Sequence, residues 1–141
     1  MKIVVIGGVA AGTKTAAKLI RQDRSQAGVV FTKGKDISYA GCGLPYYVGG
    51  MIESPEELIV NTPAKYTGLT GVRVVTGMEA VGLDAEKKTV LFANGEEVSY
   101  DKLVIATGAY PFVPDLPGTG LEGVFTVRTP EDAIGIRAYV D

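Results

Sequence analysis

The amino terminus sets the tightest constraint on the fold. Lys2 opens an apolar, β-branched run that continues to Ile6 and stops at Gly7-Gly8. An unbroken run of this kind is expected of a strand buried on both faces. Ala11 to Gln22 reads as a helix, its Ala, Leu and Ile alternating with Lys14, Lys18 and Arg21. Gly28 to Thr32 is a second short apolar strand. Strand, glycine turn, helix and strand within about 30 residues make a βαβ unit, which implies a parallel sheet.

The segment Gly7-Gly8-Val9-Ala10-Ala11-Gly12 sits at the strand-to-helix turn, where a dinucleotide fingerprint belongs. Gly7 permits the tight turn, and Gly12 permits close packing of helix on strand. The amides at the helix start can hold a pyrophosphate. The middle glycine of the usual pattern is Val9, so the strict motif is not met, and an ordinary strand-to-helix turn is the competing reading. An acidic residue is expected about 20 positions on, to accept from a ribose hydroxyl. Thr32 stands there instead, able to accept a hydrogen bond but without a carboxylate's charge, with Lys33 as a possible auxiliary contact.

Further along, Asp36 to Asn61 is rich in glycine and proline and reads as functional loop with one short helix near Cys42. Thr62 and Pro63 are cap and first residue of another short helix, Pro63 to Thr67. Val72–Val75, Glu79–Asp84, Thr89–Phe92 and Glu97–Tyr100 read as short strands of a small antiparallel meander, with Asn94-Gly95 a strong hairpin turn. Leu103 to Ala106 is expected to be a final buried strand, ending in Thr107-Gly108. Pro111, Pro114 and Pro117 stiffen a connector, and Pro130 to Val140 begins a helix.

Composition removes whole classes of chemistry. The chain has 141 residues, within reach of one compact domain, and no apolar run approaching the roughly 20 residues of a membrane helix. A net charge of −2 gives no field for nucleic acid or an anionic membrane. There is no histidine, hence no imidazole metal ligand or base, and no metal site is expected. One cysteine excludes an internal disulfide and fits a reducing compartment, so a cytoplasmic location is expected.

That cysteine lies in Ser38-Tyr39-Ala40-Gly41-Cys42-Gly43-Leu44-Pro45-Tyr46-Tyr47. A lone cysteine is more often an inert buried side chain. Here Gly41 and Gly43 leave room around the sulfur, and Pro45 fits the first turn of a helix, whose positive end would favour thiolate. A single sulfur must cycle through a mixed disulfide, a persulfide or a sulfenic acid.

The segments Ile6–Gly12, Ser38–Gly50, Tyr100–Pro111 and Val124–Asp132 resemble the single-cysteine, FAD-dependent pyridine-nucleotide disulfide oxidoreductases. These include the coenzyme A-disulfide reductases, persulfide/polysulfide reductases, NADH oxidases and NADH peroxidases. The resemblance implies an α/β fold, a Rossmann-like FAD/NAD(P)-binding parallel sheet with a small antiparallel meander. It implies that the loop Gly7 to Gly12, with Val9, Ala10 and Ala11, binds the FAD pyrophosphate. It further implies that Cys42 is the catalytic sulfur facing the flavin, that Ala80 lies near the adenine, and that Ala106, Thr107 and Gly108 close the flavin side.

Oxidases and peroxidases in this family typically carry a histidine where Ala10 stands, so the coenzyme A-disulfide and persulfide branch is the better match. That branch uses the face around Lys18 and Arg21 to meet coenzyme A phosphates. Spacing alone favours a solvated helix face for Lys14, Lys18 and Arg21. Ser38 and Asn61 match substrate-side positions, whereas Gly41 replaces an asparagine common before the cysteine. The resemblance implies that residues 1–112 are the first part of an FAD-binding domain and 113–141 a connector and the start of an NAD(P)-binding domain. It implies a longer protein of which this is the first part, so the chain alone is expected to bind FAD poorly. The longer protein would be an NAD(P)H-using homodimer reducing a small-molecule disulfide or persulfide, most simply of coenzyme A. An oxidase or peroxidase with a cysteine sulfenic acid, and a non-catalytic nucleotide-binding module, are the alternatives.

Overall fold

In the computed structural model, which describes residues 1–140, β1 (Lys2–Ile6) shows why its sequence is apolar throughout. Ile3 and Val5 point into one hydrophobic cluster, and Val4 and Ile6 into another on the opposite face. A strand covered on both sides has no solvent face on which to place a polar residue. Val4 and Val5 are fully buried, and each such side chain contributes about 1.5–3 kcal/mol over an exposed one.

The chain folds as two compact units, each assembled from separated stretches. The first comprises Met1–Ser38 and Asn61–Gly108. Its parallel sheet has the order β3-β2-β1-β7, with β2 at Ala27–Phe31, β3 at Arg73–Val75 and β7 at Lys102–Ile105. Lys2 aligns with Ala27 on one side of β1, and Ile3 with Lys102 on the other. Helices α1 (Ala10–Gln22) and α3 (Pro63–Thr70) contribute Ala16, Ile20 and Tyr66 to the cluster on one face. The antiparallel meander β4-β5-β6 (Ala80–Asp84, Thr89–Phe92, Glu97–Ser99) contributes Val90, Phe92 and Val98 to the other. Phe31 and Phe92 join sheet to meander, their ring centroids 4.7 Å apart. This is the α/β arrangement expected, a Rossmann-like parallel sheet with a small antiparallel meander.

Three expectations change. Val72–Val75 belongs to the parallel sheet and not to the meander, since Val29 aligns with Arg73 along β2. Val72 itself is buried under the helices, so the apolar side chain that makes the segment look like the others is a sheet-core residue. The last strand is an edge of the sheet and only half covered, Ile105 being 64% exposed. Helix α3 continues three residues past Thr67, ending at Gly71 in the left-handed conformation.

The second unit comprises Tyr39–Val60 and the chain from Ala109 onward. A 3-10 turn at Gly41–Gly43 runs into α2 (Leu44–Val48), and a second at Pro55–Leu58 follows. Ser54 opens the latter with a capping box in which the Glu57 carboxylate accepts from the Ser54 amide at 3.1 Å. Helix α4 (Pro130–Val140) packs Ala133 against Leu44, Tyr47 and Leu58. Asp132 fixes its start, accepting from the amides of Arg128 and Thr129 at 2.9 and 2.8 Å.

Candidate functional site

In the first unit the predicted cofactor residues gather at the carboxyl ends of β1, β2 and β7, where ligands of parallel α/β sheets bind. Gly7 has φ +110°, and a Cβ built on it would lie 2.1 Å from the Ala106 carbonyl oxygen. A Cβ on Gly12 would lie 1.8 Å from the Gly7 carbonyl oxygen. Both clashes are with backbone, so only glycine lets helix, turn and neighbouring strand approach this closely. A Cβ on Gly8 would press on Thr32 and Ile37, at 3.0 and 2.9 Å.

Helix α1 begins after Val9, and no side chain caps it. Its first turn carries no acid, and Ala10 and Ala11 are exposed. The Thr13 hydroxyl turns inward to the Val9 carbonyl, leaving the leading amides uncovered. Four orphan N–H groups and the positive end of the helix dipole make such a turn receptive to an anion. The loop therefore fits the pyrophosphate of a dinucleotide, without a side-chain carboxylate to repel it. Tyr66 braces the same turn from α3, its buried hydroxyl donating to the Thr13 carbonyl at 2.5 Å.

The remaining first-unit residues divide. Thr32 is buried at the end of β2, its amide bonded to Val75 and its carbonyl to the Met78 amide. Lys33 is exposed and paired with Glu79 at 2.9 Å. Ala80 opens β4, half-buried, and the Ala106 amide donates to the Ile6 carbonyl of β1 at 2.8 Å. Thr107 and Gly108 are exposed, the latter at φ +78°. Ser38 is drawn to the glycine loop, its amide donating to the Gly8 carbonyl at 3.0 Å, and it adopts φ +49°. A non-glycine residue held there stores of order 1–3 kcal/mol, a feature of functional sites. Lys18 and Arg21 are exposed along α1, with Arg21 on the rim of a cleft of about 560 Å³ beside α3. Asn61 is half-buried just ahead of α3.

In the second unit Cys42 is a free, exposed thiol in the middle of the Gly41–Gly43 turn. A Cβ on Gly41 would meet nothing within 4 Å, so the space at that neighbouring position is open. Gly43 is buried, and its amide closes the turn onto the Ala40 carbonyl at 2.8 Å. Ala40 is in turn tied to Leu58 at 2.7 Å, and Tyr39 bridges to Ile59. Pro45 lies in the first turn of α2 as expected, but this helix has five residues and starts at Leu44. The turn carrying Cys42 is 3-10, so the sulfur precedes α2 rather than capping it.

Residues 1–140 match the family profile described as pyridine nucleotide-disulphide oxidoreductase. The chain belongs to that family. Among its relatives, a NADH oxidase of Methanocaldococcus jannaschii is 35% identical, covering 100% of this chain and 32% of the relative. The NAD(P)H coenzyme A polysulfide/persulfide reductase of Pyrococcus horikoshii is 37% identical, over 99% of this chain and 32% of its own length. Among solved structures, the NAD-dependent persulfide reductase from A. fulgidus superposes with a TM-score of 0.90 at 40% identity, over 99% of this chain and 27% of that one. The chain thus spans 32% of the length of these curated relatives.

Two residues of this family member escaped the sequence reading. Glu79 places a carboxylate beside Lys33, at the strand end where Thr32 supplies none. The signal was the acid immediately ahead of β4, which is legible only once β4 is known to start beside β2. The second is Arg137, whose partners lie far upstream. Among the described residues, no helix is long and apolar enough to cross a membrane.

Proposed function

We propose that this chain provides the FAD pyrophosphate loop and the redox-active sulfur of a protein that uses NAD(P)H to reduce coenzyme A disulfide or a related persulfide. The observation that carries the reading is Cys42: a lone, exposed thiol, flanked by open space at Gly41, in a chain of the disulfide-oxidoreductase family. Gly7 to Gly12 would hold the pyrophosphate through backbone amides, with Ala106, Thr107 and Gly108 beside the loop. Lys33 and Thr32 would face the adenosine end, near Ala80, with Glu79 as the carboxylate at that edge. Bound FAD would relay two electrons from NAD(P)H to the sulfur centre.

The chain's own step is thiol–disulfide exchange. Cys42 thiolate attacks one sulfur of the substrate; a Cys42–sulfur bond forms, the substrate S–S bond breaks, and one thiolate leaves. Lys18 and Arg21 are the cations available for the phosphates of a coenzyme A substrate, with Ser38 and Asn61 as polar contacts. Alanine at position 10 leaves no imidazole in the glycine loop for peroxide chemistry, which favours this substrate class.

Incubating the chain with coenzyme A disulfide should add one coenzyme A thiol to the intact mass, reversibly with reductant and not in Cys42→Ser. Rapid alkylation of Cys42 with no coenzyme A adduct would defeat the substrate assignment. The M. jannaschii relative, named a NADH oxidase, motivates the second reading, with Cys42 passing through a sulfenic acid. Peroxide treatment that yields a dimedone-reactive Cys42 faster than coenzyme A disulfide yields its adduct would favour that reading.

A further inference from the structure

Arg137 lies on α4, half-buried, and one of its nitrogens gathers three backbone carbonyls of the cysteine-bearing stretch. Nη1 donates toward Tyr47 at 3.2 Å, Ile52 at 3.0 Å and Glu53 at 3.3 Å. The guanidinium carbon also lies 4.8 Å from the centroid of the Tyr47 ring. All of these partners belong to the second unit.

The segment it grips is short. Helix α2 has five residues, and isolated helices shorter than about 12–15 residues are marginal in water. Its last carbonyls are met only by the turn that follows, Pro45 accepting from the Gly49 amide at 2.9 Å and Tyr47 from the Gly50 amide at 3.1 Å. Beyond it the chain reverses through Gly49 and Gly50, the latter at φ +76°, with the Tyr46 carbonyl taking the amides of Met51 and Ile52 at 2.9 and 3.2 Å. Arg137 adds to this reversal a cation at the negative end of α2, a donor to the Ile52 and Glu53 carbonyls and a second donor to that of Tyr47, and a guanidinium over the Tyr47 ring. A lysine ammonium offers a point charge without the planar fork.

Cys42 lies just ahead of the other end of α2, in the Gly41–Gly43 turn that runs into it. Gly43 follows Cys42, and Leu44 and Tyr47 of α2 are buried with Ala133 of α4. The connection from α4 to the sulfur runs through Arg137, Tyr47, the α2 backbone and the Gly41–Gly43 turn. We propose that Arg137 is a positioning residue for Cys42: by clamping the end of α2 onto α4 it fixes the direction in which the thiol presents its sulfur. The inference rests on the reading of Cys42 as the reacting sulfur. In exchange, the attacking, central and leaving sulfurs must line up, so a drifting turn slows reaction with a bulky disulfide. A small alkylating agent, which approaches from any open side, is affected far less.

The test uses the full chain with Arg137→Met and Arg137→Lys. Two rates are measured at Cys42, alkylation by iodoacetamide and exchange with coenzyme A disulfide, together with amide hydrogen exchange at Gly50, Met51 and Ile52 and in the sheet at Val4 and Val30. Arg137→Met should lower protection of the three turn amides at least tenfold while leaving the sheet amides unchanged. It should also lower the ratio of exchange rate to alkylation rate at least threefold, and Arg137→Lys should rescue neither fully. Unchanged protection and ratio in Arg137→Met would overturn the inference. So would full rescue by lysine, which would make the effect one of charge alone, or an equal loss of protection in the sheet, which would make Arg137 a general stability residue. A wild-type chain that alkylates but forms no coenzyme A adduct would sink the reading of Cys42 instead, with turn protection still deciding whether the clamp exists.

Discussion

At the residue scale, the glycine loop is a set of backbone collisions avoided. Gly7 and Gly12 each approach a carbonyl to a distance no Cβ tolerates. Gly68, inside α3, meets nothing within 4 Å and carries no positive φ. Gly7→Ala and Gly12→Ala should each destabilise the chain by about 1–3 kcal/mol, the scale of overpacking strain, whereas Gly68→Ala should stabilise it by up to about 1 kcal/mol through helix propensity. Urea unfolding monitored by circular dichroism ranks the three, and a neutral Gly12→Ala would contradict the close approach described above. The sequence motif pointed to Gly7 and Gly12 because their roles follow from a turn between strand and helix. It was silent on Gly8, whose constraint comes from Thr32 and Ile37, side chains brought in by the next strand.

At the scale of elements, legibility tracked how local each determinant was. β1 was readable because burial on both faces writes an unbroken apolar run. The β5–β6 hairpin was readable because Asn94-Gly95 encodes its own turn, with Gly95 at φ +83°. β3 was misassigned because three residues carry no period, and its partner β2 lies more than 40 residues earlier. The short 3-10 turn at Pro55–Leu58 carried a readable signature, Ser54 followed by Glu57, inside a stretch otherwise dominated by glycine and proline. The brace from α3 to α1 was not readable, since nothing in the sequence says that Tyr66 meets Thr13. Tyr66→Phe keeps the ring in the core and deletes the hydroxyl bond alone, so it should cost about 0.5–1.5 kcal/mol. Amide exchange in the first turn of α1 should quicken more than exchange in β1; equal changes in both would deny the brace a local role.

At the scale of the whole molecule, the chain visits its two units alternately, and neither is a continuous segment. The first unit closes with Gly108, and the second needs residues from Ala109 onward to bury Leu44, Tyr47 and Leu58 against Ala133. Truncation after Gly108 should therefore leave the parallel sheet protected against hydrogen exchange while the amides of residues 43–59 lose protection. Retained protection around Gly43 and Ile52 in that truncation would show that the cysteine stretch folds without α4. The coarse architecture was visible in sequence because both sheets are built from patterned strands. The partition was not, because it depends on contacts between stretches that no motif links, those of Arg137 above all.

The alternation has a consequence for the birth of the protein. Arg137 is translated 90 residues after Tyr47, which at cellular elongation rates is a lag on the order of 5–20 s. Throughout that interval the sulfur two residues ahead of α2 has left the ribosome, or is leaving it, before the helix that seats it has been made. The nascent chain thus carries the Cys42 thiol for seconds before the second unit can be completed around it.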